Sequence, residues 1–292
     1  MKNYLEKIPK MIQSIPAISG NTLALIDLIG KGDYKTNDLA KMIETDITLS
    51  SRCLQMVNSP VFALKSQVGS IKRAVVLLGA TTVANIALQT VLSKALSKNL
   101  TGYQCSSDEL WKHSLMAAIA ARRVAGEMKL ECKDTAYAAG LLHDIGKLII
   151  SEFLVEEADH IQEALSDMHD FLGSEESLLG TDHAQVGSLI AESWRLPEVF
   201  RMVILHHHRP SDAPEAFQNL ILCVHLGDIF AMMAGTGTGL DTMSYPLDPL
   251  AEKFMKNDVA WELQKFPKLL LDIDVEYQEA VALTNGIGGR DV

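Results

Sequence analysis

The sequence predicts an all-α protein, a multi-helix bundle. Apolar residues recur at helical spacing, as in Ile71, Ala74, Val75 and Leu78 at i, i+3, i+4 and i+7. Period-two alternation is almost absent and β-branched residues do not cluster, so strands have little to build on. With 292 residues, 48% of them hydrophobic, the chain can bury a sizeable core.

Taken in order, Ile8-Pro9 and Ile15-Pro16 precede an apolar run, Leu23, Ile26, Leu28 and Ile29, which Gly30-Lys31-Gly32-Asp33 should stop. Thr36-Asn37-Asp38 is expected to cap the next helix, with Leu39 and Ile43 inward. A third pattern, Asp46 to Val57, ends at Asn58-Ser59-Pro60. Ser70 to Leu78 stops at Gly79, and Thr81 to Leu96 repeats the spacing. Polar Asn99 to Ser107, with Gly102, reads as a seam. Ser106 and Glu109 have the form of a capping box opening a helix through Trp111, His113, Ala117, Ala120 and Val124. Asp134 starts the helix that ends in His143-Asp144. Residues 150–180 are acidic and helical in pattern, with Ile161 and Leu165 four apart. Asp182, with Gln185 three later, caps a helix bearing Val186, Gly187, Ile190 and Trp194. Pro197 suits the first position of the next helix, which presents Phe200, Val203, Ile204 and His207 and is ended by Pro210 and Pro214. Leu220 to Met233 reads as a buried helix containing Asp228. Gly235, Gly237 and Gly239 read as a flexible loop, 247–283 as a last helix pair, and Gly286 onward as frayed. All nine histidines lie beyond residue 112. The expected division is therefore 1–100 as a helical scaffold or interaction surface, 101–234 as the part holding the chemistry, and 235–292 as a helical extension.

The formal net charge is -11, from 37 acidic and 26 basic residues, which excludes a protein built to coat nucleic acid or anionic lipid. Cys53, Cys105, Cys132 and Cys223 form no CxxC pair and read as reduced thiols. Met1 to Lys7 has no apolar signal region. The apolar run Leu220 to Ala234 contains His225 and Asp228 and is too short and polar to span a bilayer. A soluble cytoplasmic protein is expected, with neither nucleic acid nor membrane as partner.

The most informative stretch is Gly140-Leu141-Leu142-His143-Asp144-Ile145-Gly146-Lys147. A histidine and an aspartate side by side can straddle one cation, reached by imidazole nitrogen and carboxylate oxygen at about 2.0–2.2 Å. Each candidate has an ordinary reading alone. His113 could be a core histidine with one hydrogen bond, Asp144 a helix cap, and His206-His207-His208 a solvated helix end favoured by the macrodipole. Asp228 sits in an apolar run, and an unpaired buried carboxylate is costly. Together, His and Asp recur at inward positions of successive helices. Nitrogen and oxygen donors without thiolate suit one or two divalent ions, with Fe or Mn favoured and Zn or Mg as alternatives.

The order His113, His143-Asp144, Asp228 resembles the H…HD…D signature of the HD-domain metal-dependent phosphohydrolases. The wider chain resembles the HDOD (HD-related output domain) family of bacterial signalling proteins over roughly residues 8–231. The segments that carry this are Ile15-Pro16, Glu44 to Leu49 followed by Met56-Val57-Asn58-Ser59-Pro60, Ile71 to Gly79, and Gly140 to Lys147. The resemblance implies an HD-domain-like helical bundle and a role in signal transduction. Glu109, His183 with Gly187, and His206-His207 are similar to the extra ligands of the HD-GYP cyclic-dinucleotide phosphodiesterases. The Gly-Tyr-Pro loop is absent, and His208-Arg209-Pro210-Ser211-Asp212 stands there instead. On this reading His113, His143, Asp144 and Asp228 hold a first ion. Asp144 bridges to a second, held by Glu109, His183 and His206 or His207. Asp144 and Lys147 are the expected catalytic residues, and Lys147 and Arg209 the expected phosphate-binding ones. The expected activity is that of a phosphohydrolase or phosphodiesterase on a nucleotide or cyclic dinucleotide. The alternative is a non-catalytic module that binds a signalling protein, with a structural or vacant metal site.

Overall fold

The computed structural model describes residues 4–15, 20–31, 35–168, 170–242, 245–257 and 266–288. The helices among them are α1 (Ile8–Ser14), α2 (Gly20–Lys31), α3 (Thr36–Glu44), α4 (Ile47–Val57), α5 (Ile71–Leu78), α6 (Ala80–Leu96), α7 (Glu109–Glu127), α8 (Lys133–Leu142), α9 (Lys147–Glu156), α10 (Ile161–Met168), α11 (Phe171–Leu179), α12 (His183–Ser193), α13 (Glu198–His206), α14 (Glu215–Met233), α15 (Pro249–Asn257) and α16 (Phe266–Gly288). The one extended pairing among the described residues is a bridge between Leu100 and Cys105. The chain is all-α.

Side-chain caps start several helices by satisfying N–H groups that have no partner within the helix. Asp46 Oδ1 accepts from the Leu49 N–H at 3.0 Å, Ser70 Oγ from Arg73 at 3.3 Å, and Asp182 Oδ1 from Gln185 at 2.7 Å. Two expected caps differ. α3 begins at Thr36 itself, with Lys35 before it and no side-chain cap. Glu109 accepts the Ser106 N–H at 2.6 Å, but the residue before α7 is Asp108, whose side chain caps nothing. Gly30 and Lys31 lie within α2 rather than after it. Pro16, Gly32 and Asp33 lie outside the described residues. So do 289–292 at the expected frayed end, while α16 runs to Gly288.

α7 is the central helix, packed most closely against α14 and α8, which also touch each other. Its run Ala117, Ala118, Ala120, Ala121 is buried and small, which lets neighbouring backbones come close. At Gly227 of α14 a Cβ would lie 2.5 Å from the Ala117 carbonyl oxygen, so only glycine permits this approach. The approach sets the register of Asp228 against His113.

The expected seam at 99–107 is packed rather than open. The Gly102 N–H donates to Ser151 Oγ at 3.1 Å, and this segment lies on α9. The histidine-free helices rest on the histidine-bearing ones. α2 and α6 pack on α8, and Thr81 Oγ1 bonds Asp134 Oδ2 at 3.1 Å. At the other end α16 packs on α7 and α4, and Glu276 pairs with Arg122 and Arg123 of α7. Among the described residues one helix, α14, is long and apolar enough to cross a membrane, and most of it is buried within this fold.

Candidate metal centre

α8 ends at Leu142 and α9 begins at Lys147, so His143 and Asp144 lie in the turn between two helices. That turn frees the two side chains from the roughly 100° divergence of helical neighbours. Gly146 lets the turn press on the start of α12, where a Cβ would meet the His183 carbonyl oxygen at 1.8 Å. Asp144 is thereby brought to His183, the first residue of α12.

Two groups of donors result, each with its ligand atoms within 4.8 Å of one another. One is His113, His143 and Asp228, and the other is Asp144, His183, His207 and His208. Asp144 lies between them. Its Oδ2 is 3.5 Å from His113 Nε2 and 3.4 Å from His143 Nε2. Its Oδ1 is 3.5 Å from His183 Nε2 and 3.6 Å from His207 Nε2. Asp228 Oδ1 stands 3.1 Å from His113 Nε2 and 3.9 Å from His143 Nε2. Most of these separations are long for hydrogen bonds. They match neighbouring donors around one cation, which stand about 3.0–3.5 Å apart when each is about 2.1 Å from the ion.

The far side of each ring fixes which nitrogen faces inward. His113 Nδ1–H donates to Thr236 O at 2.7 Å, His143 to Gly140 O at 2.7 Å, and His207 to Ile204 O at 2.8 Å. His183 Nδ1–H donates to Glu175 Oε2 at 2.7 Å. In these four histidines the Nε2 lone pair is turned to the centre, the arrangement metal-ligating imidazoles adopt. His208 differs. Its Nε2 is 2.9 Å from His183 Nε2, and its ring stacks on Tyr245 with centroids 3.8 Å apart.

The donor set fits a divalent cation by its unmet needs as well. Asp144 Oδ1, Asp228 Oδ2, His207 Nε2 and His208 Nδ1 are buried without a hydrogen bond, a costly state unless something charged meets them. Burial pushes the Asp144 carboxyl up, but His143, Lys147, His207 and His183 outweigh it and hold the group well below the usual range. Asp228 is likewise brought down to about 2, with His113 and His143 overcoming burial. Burial lowers His143 to about 4, so its ring is neutral and able to ligate near neutral pH. His113 and His183 are raised, because Asp228 and Asp144 for the first, and Glu175 for the second, more than offset burial.

The structure redistributes several expected residues. His206 is half-buried and belongs to neither group; α13 ends with it, and the chain then turns His207 and His208 inward. Glu109 is occupied by the Ser106 N–H at the start of α7 and belongs to neither group. Arg209 is exposed. Lys147 is 1% exposed, and its ammonium is fully engaged by Asp144 Oδ2 at 2.7 Å, Asp241 Oδ2 at 2.6 Å and Thr238 Oγ1 at 2.9 Å. Its charge is taken up by Asp144 and Asp241 in this conformation.

Three contributors escaped the sequence reading. His208 was one of three adjacent histidines whose directions spacing alone does not separate. Glu175 had a signal, since Phe171, Glu175 and Leu179 are spaced by four and all buried. Its carboxylate also accepts from the His183 backbone N–H at 2.8 Å and from the Tyr103 hydroxyl. Residues 236–242 had none. The glycine-rich stretch there is a packed roof over the centre. Leu240 N–H bonds Tyr103 O at 2.8 Å, and Gly239, at φ +88°, leaves no room for a Cβ beside the same oxygen.

Comparison with known proteins identifies the family. A family model described as the HDOD domain matches residues 15–210. An uncharacterized protein of Treponema pallidum (strain Nichols) is 26% identical over 226 residues, 74% of this chain; the chain spans 42% of that relative's length. A crystal structure from Shewanella amazonensis SB2B, provisionally named a phosphohydrolase, is 21% identical, covers 98% of both chains and has a TM-score of 0.67. Another from Marinobacter aquaeolei VT8, provisionally named a signal transduction protein, is 20% identical with a TM-score of 0.72, over 94% of this chain and 60% of that one. At such identities the two structures establish the fold.

Proposed function

The chain belongs to the HDOD domain family, and from that premise we propose that it is a signal-transduction protein whose helical bundle holds a two-ion divalent metal centre of the phosphohydrolase type. The observation that carries this is Asp144, one oxygen facing His113 and His143 and the other facing His183 and His207. His113, His143 and Asp228 would complete one site, and His183, His207 and His208 the other. Imidazole-rich donors favour Fe or Mn, with Zn as the alternative; Mg prefers oxygen ligands. A bound pair of such ions supplies water activation near neutral pH and neutralises charge on a phosphoryl oxygen.

The chain's own residues orient and enclose. Glu175 and the carbonyls of Gly140, Ile204 and Thr236 hold the four imidazoles in the ligating tautomer. His225 steadies the turn behind them, donating from Nδ1 to His207 O at 2.9 Å and accepting the Asp248 N–H at Nε2. The substrate class this supports is a phosphomonoester or phosphodiester of a nucleotide or cyclic dinucleotide. The test is turnover of such a panel by metal-loaded protein, with Asp144→Ala as control. Equal rates for the two proteins on every substrate would sink the hydrolytic reading.

A second reading has one observation in its favour. None of the seven residues in the two donor groups is more than 6% exposed, so a substrate reaches them only if the covering segment moves. A centre that never opens would be a structural staple in a module that binds a signalling protein. Metal in stoichiometric amount, unfolding on chelation, and no turnover would favour it.

A further inference from the structure

Beside the metal centre lies a hole with three hydrogen-bond donors, and the chain fills it with its own carboxylate. Asp241 is fully buried. Its Oδ2 pairs with the Lys147 ammonium at 2.6 Å and accepts from the Tyr245 hydroxyl at 2.8 Å, and its Oδ1 accepts from the Thr238 hydroxyl at 2.7 Å. The same ammonium is 2.7 Å from Asp144 Oδ2 and lies 5.6 and 5.7 Å from the ring centroids of Tyr103 and Tyr245. Whatever occupies the place of Asp241 is therefore one ammonium away from the bridging carboxylate.

We propose that Asp241 occupies a phosphate-binding subsite, and that residues 236–242 are a plug which an incoming phosphate group displaces. The inference rests on the metal centre proposed above. An ammonium and two hydroxyls are a donor set that serves a phosphate oxygen as well as a carboxylate. Charge decides between the two occupants. Asp144, Asp228, Glu175 and Asp241 share this buried volume with one buried lysine. With two divalent cations bound, positive charge exceeds the carboxylates by one unit while Asp241 is in place. A phosphate dianion in its stead cancels that excess, and Asp241 does not. Lys147 is thus the phosphate ligand the sequence suggests, held in reserve by an internal competitor. The plug is tied down on the Tyr103 side by the Leu240 N–H and on the His113 side by Thr236 O, so its displacement would be felt at a metal-facing histidine.

The experiment titrates inorganic phosphate into metal-loaded, full-length protein by calorimetry, for wild type and Asp241→Ala. The variant is expected to bind one phosphate per chain at least roughly tenfold more tightly, and Thr238→Val in the same background to reverse much of that gain. Hydrogen exchange on wild type gives a reading that needs no variant: saturating phosphate should accelerate exchange across 236–242, the Leu240 amide included. Equal phosphate affinity in wild type and Asp241→Ala, or exchange in 236–242 that ignores saturating phosphate, overturns the proposal. Metal content is measured on the same samples. Metal-free protein after metal loading would sink the centre itself, whereas bound metal with an indifferent plug sinks this inference alone.

Discussion

Asn58, which the sequence marks as a helix stop, holds two segments together. Its Nδ2 donates to Leu54 O and to Val68 O, each at 2.8 Å, and its Oδ1 accepts the Val68 N–H at 2.7 Å. These bonds tie the end of α4 to the approach to α5 at Val68, which is buried. Asn58→Ala strands both backbone groups of Val68 and is expected to cost about 1–3 kcal/mol, read as a lower urea midpoint at unchanged slope. An unmoved midpoint would contradict it. Cys53, fully buried on α4, gives a pH prediction. Burial pushes its thiol up to about 12 from the ordinary 9.0, so the folded state holds the proton more tightly than the unfolded chain. Its contribution to stability is complete below pH 9.0 and is lost progressively as pH climbs toward 12, by at most about 1.4 kcal/mol per pH unit. Cys105 shifts the same way. The urea midpoint should fall from pH 8 to pH 10, and native Cys53 should resist alkylation at pH 8 until the chain unfolds. Rapid labelling of the native protein would contradict the burial.

At the scale of helices, the α7–α14 contact tests whether close backbone approach builds the centre. Glycine to alanine inside a helix ordinarily gains about 1 kcal/mol. At Gly227 the new Cβ would stand 2.5 Å from Ala117 O and 2.9 Å from the Ala121 nitrogen, so Gly227→Ala should instead destabilise by about 1–3 kcal/mol. It should also lower metal content, because Asp228 moves against His113. A stabilised variant would contradict the packing described. The same scale shows what a linear sequence can carry. The helices were legible because burial on one face imposes a local period, and Asp46, Ser70 and Asp182 announce their helix starts by chemistry that acts three residues away. The His143-Asp144 dyad was legible because both residues are adjacent and sit in an apolar run. The inward turn of His208 rather than His206 was not, since it depends on where α13 stops. Nor was the roof, because Gly239 suggests freedom until Tyr103 O is seen beside it. Glu109 misled for a related reason: it shares a face with His113 one turn away, but the Ser106 N–H claims it.

For the molecule as a whole, the histidine-free helices and the histidine-bearing ones form a continuous core, and α7 carries both His113 and the arginines that grip α16. The chain's net charge of -11 gives an anionic ligand no general attraction, so affinity for phosphate must come from cations held at the centre. That makes the metal pair the claim on which function depends. Crystals of protein purified without chelator, measured above and below the Mn, Fe and Zn absorption edges, test it most directly. Two anomalous peaks are expected about 3.5–4 Å apart, one on each side of Asp144, the first against His113, His143 and Asp228 and the second against His183, His207 and His208. Density for water or nothing between those side chains, with Lys147 as the sole cation on Asp144, would contradict it.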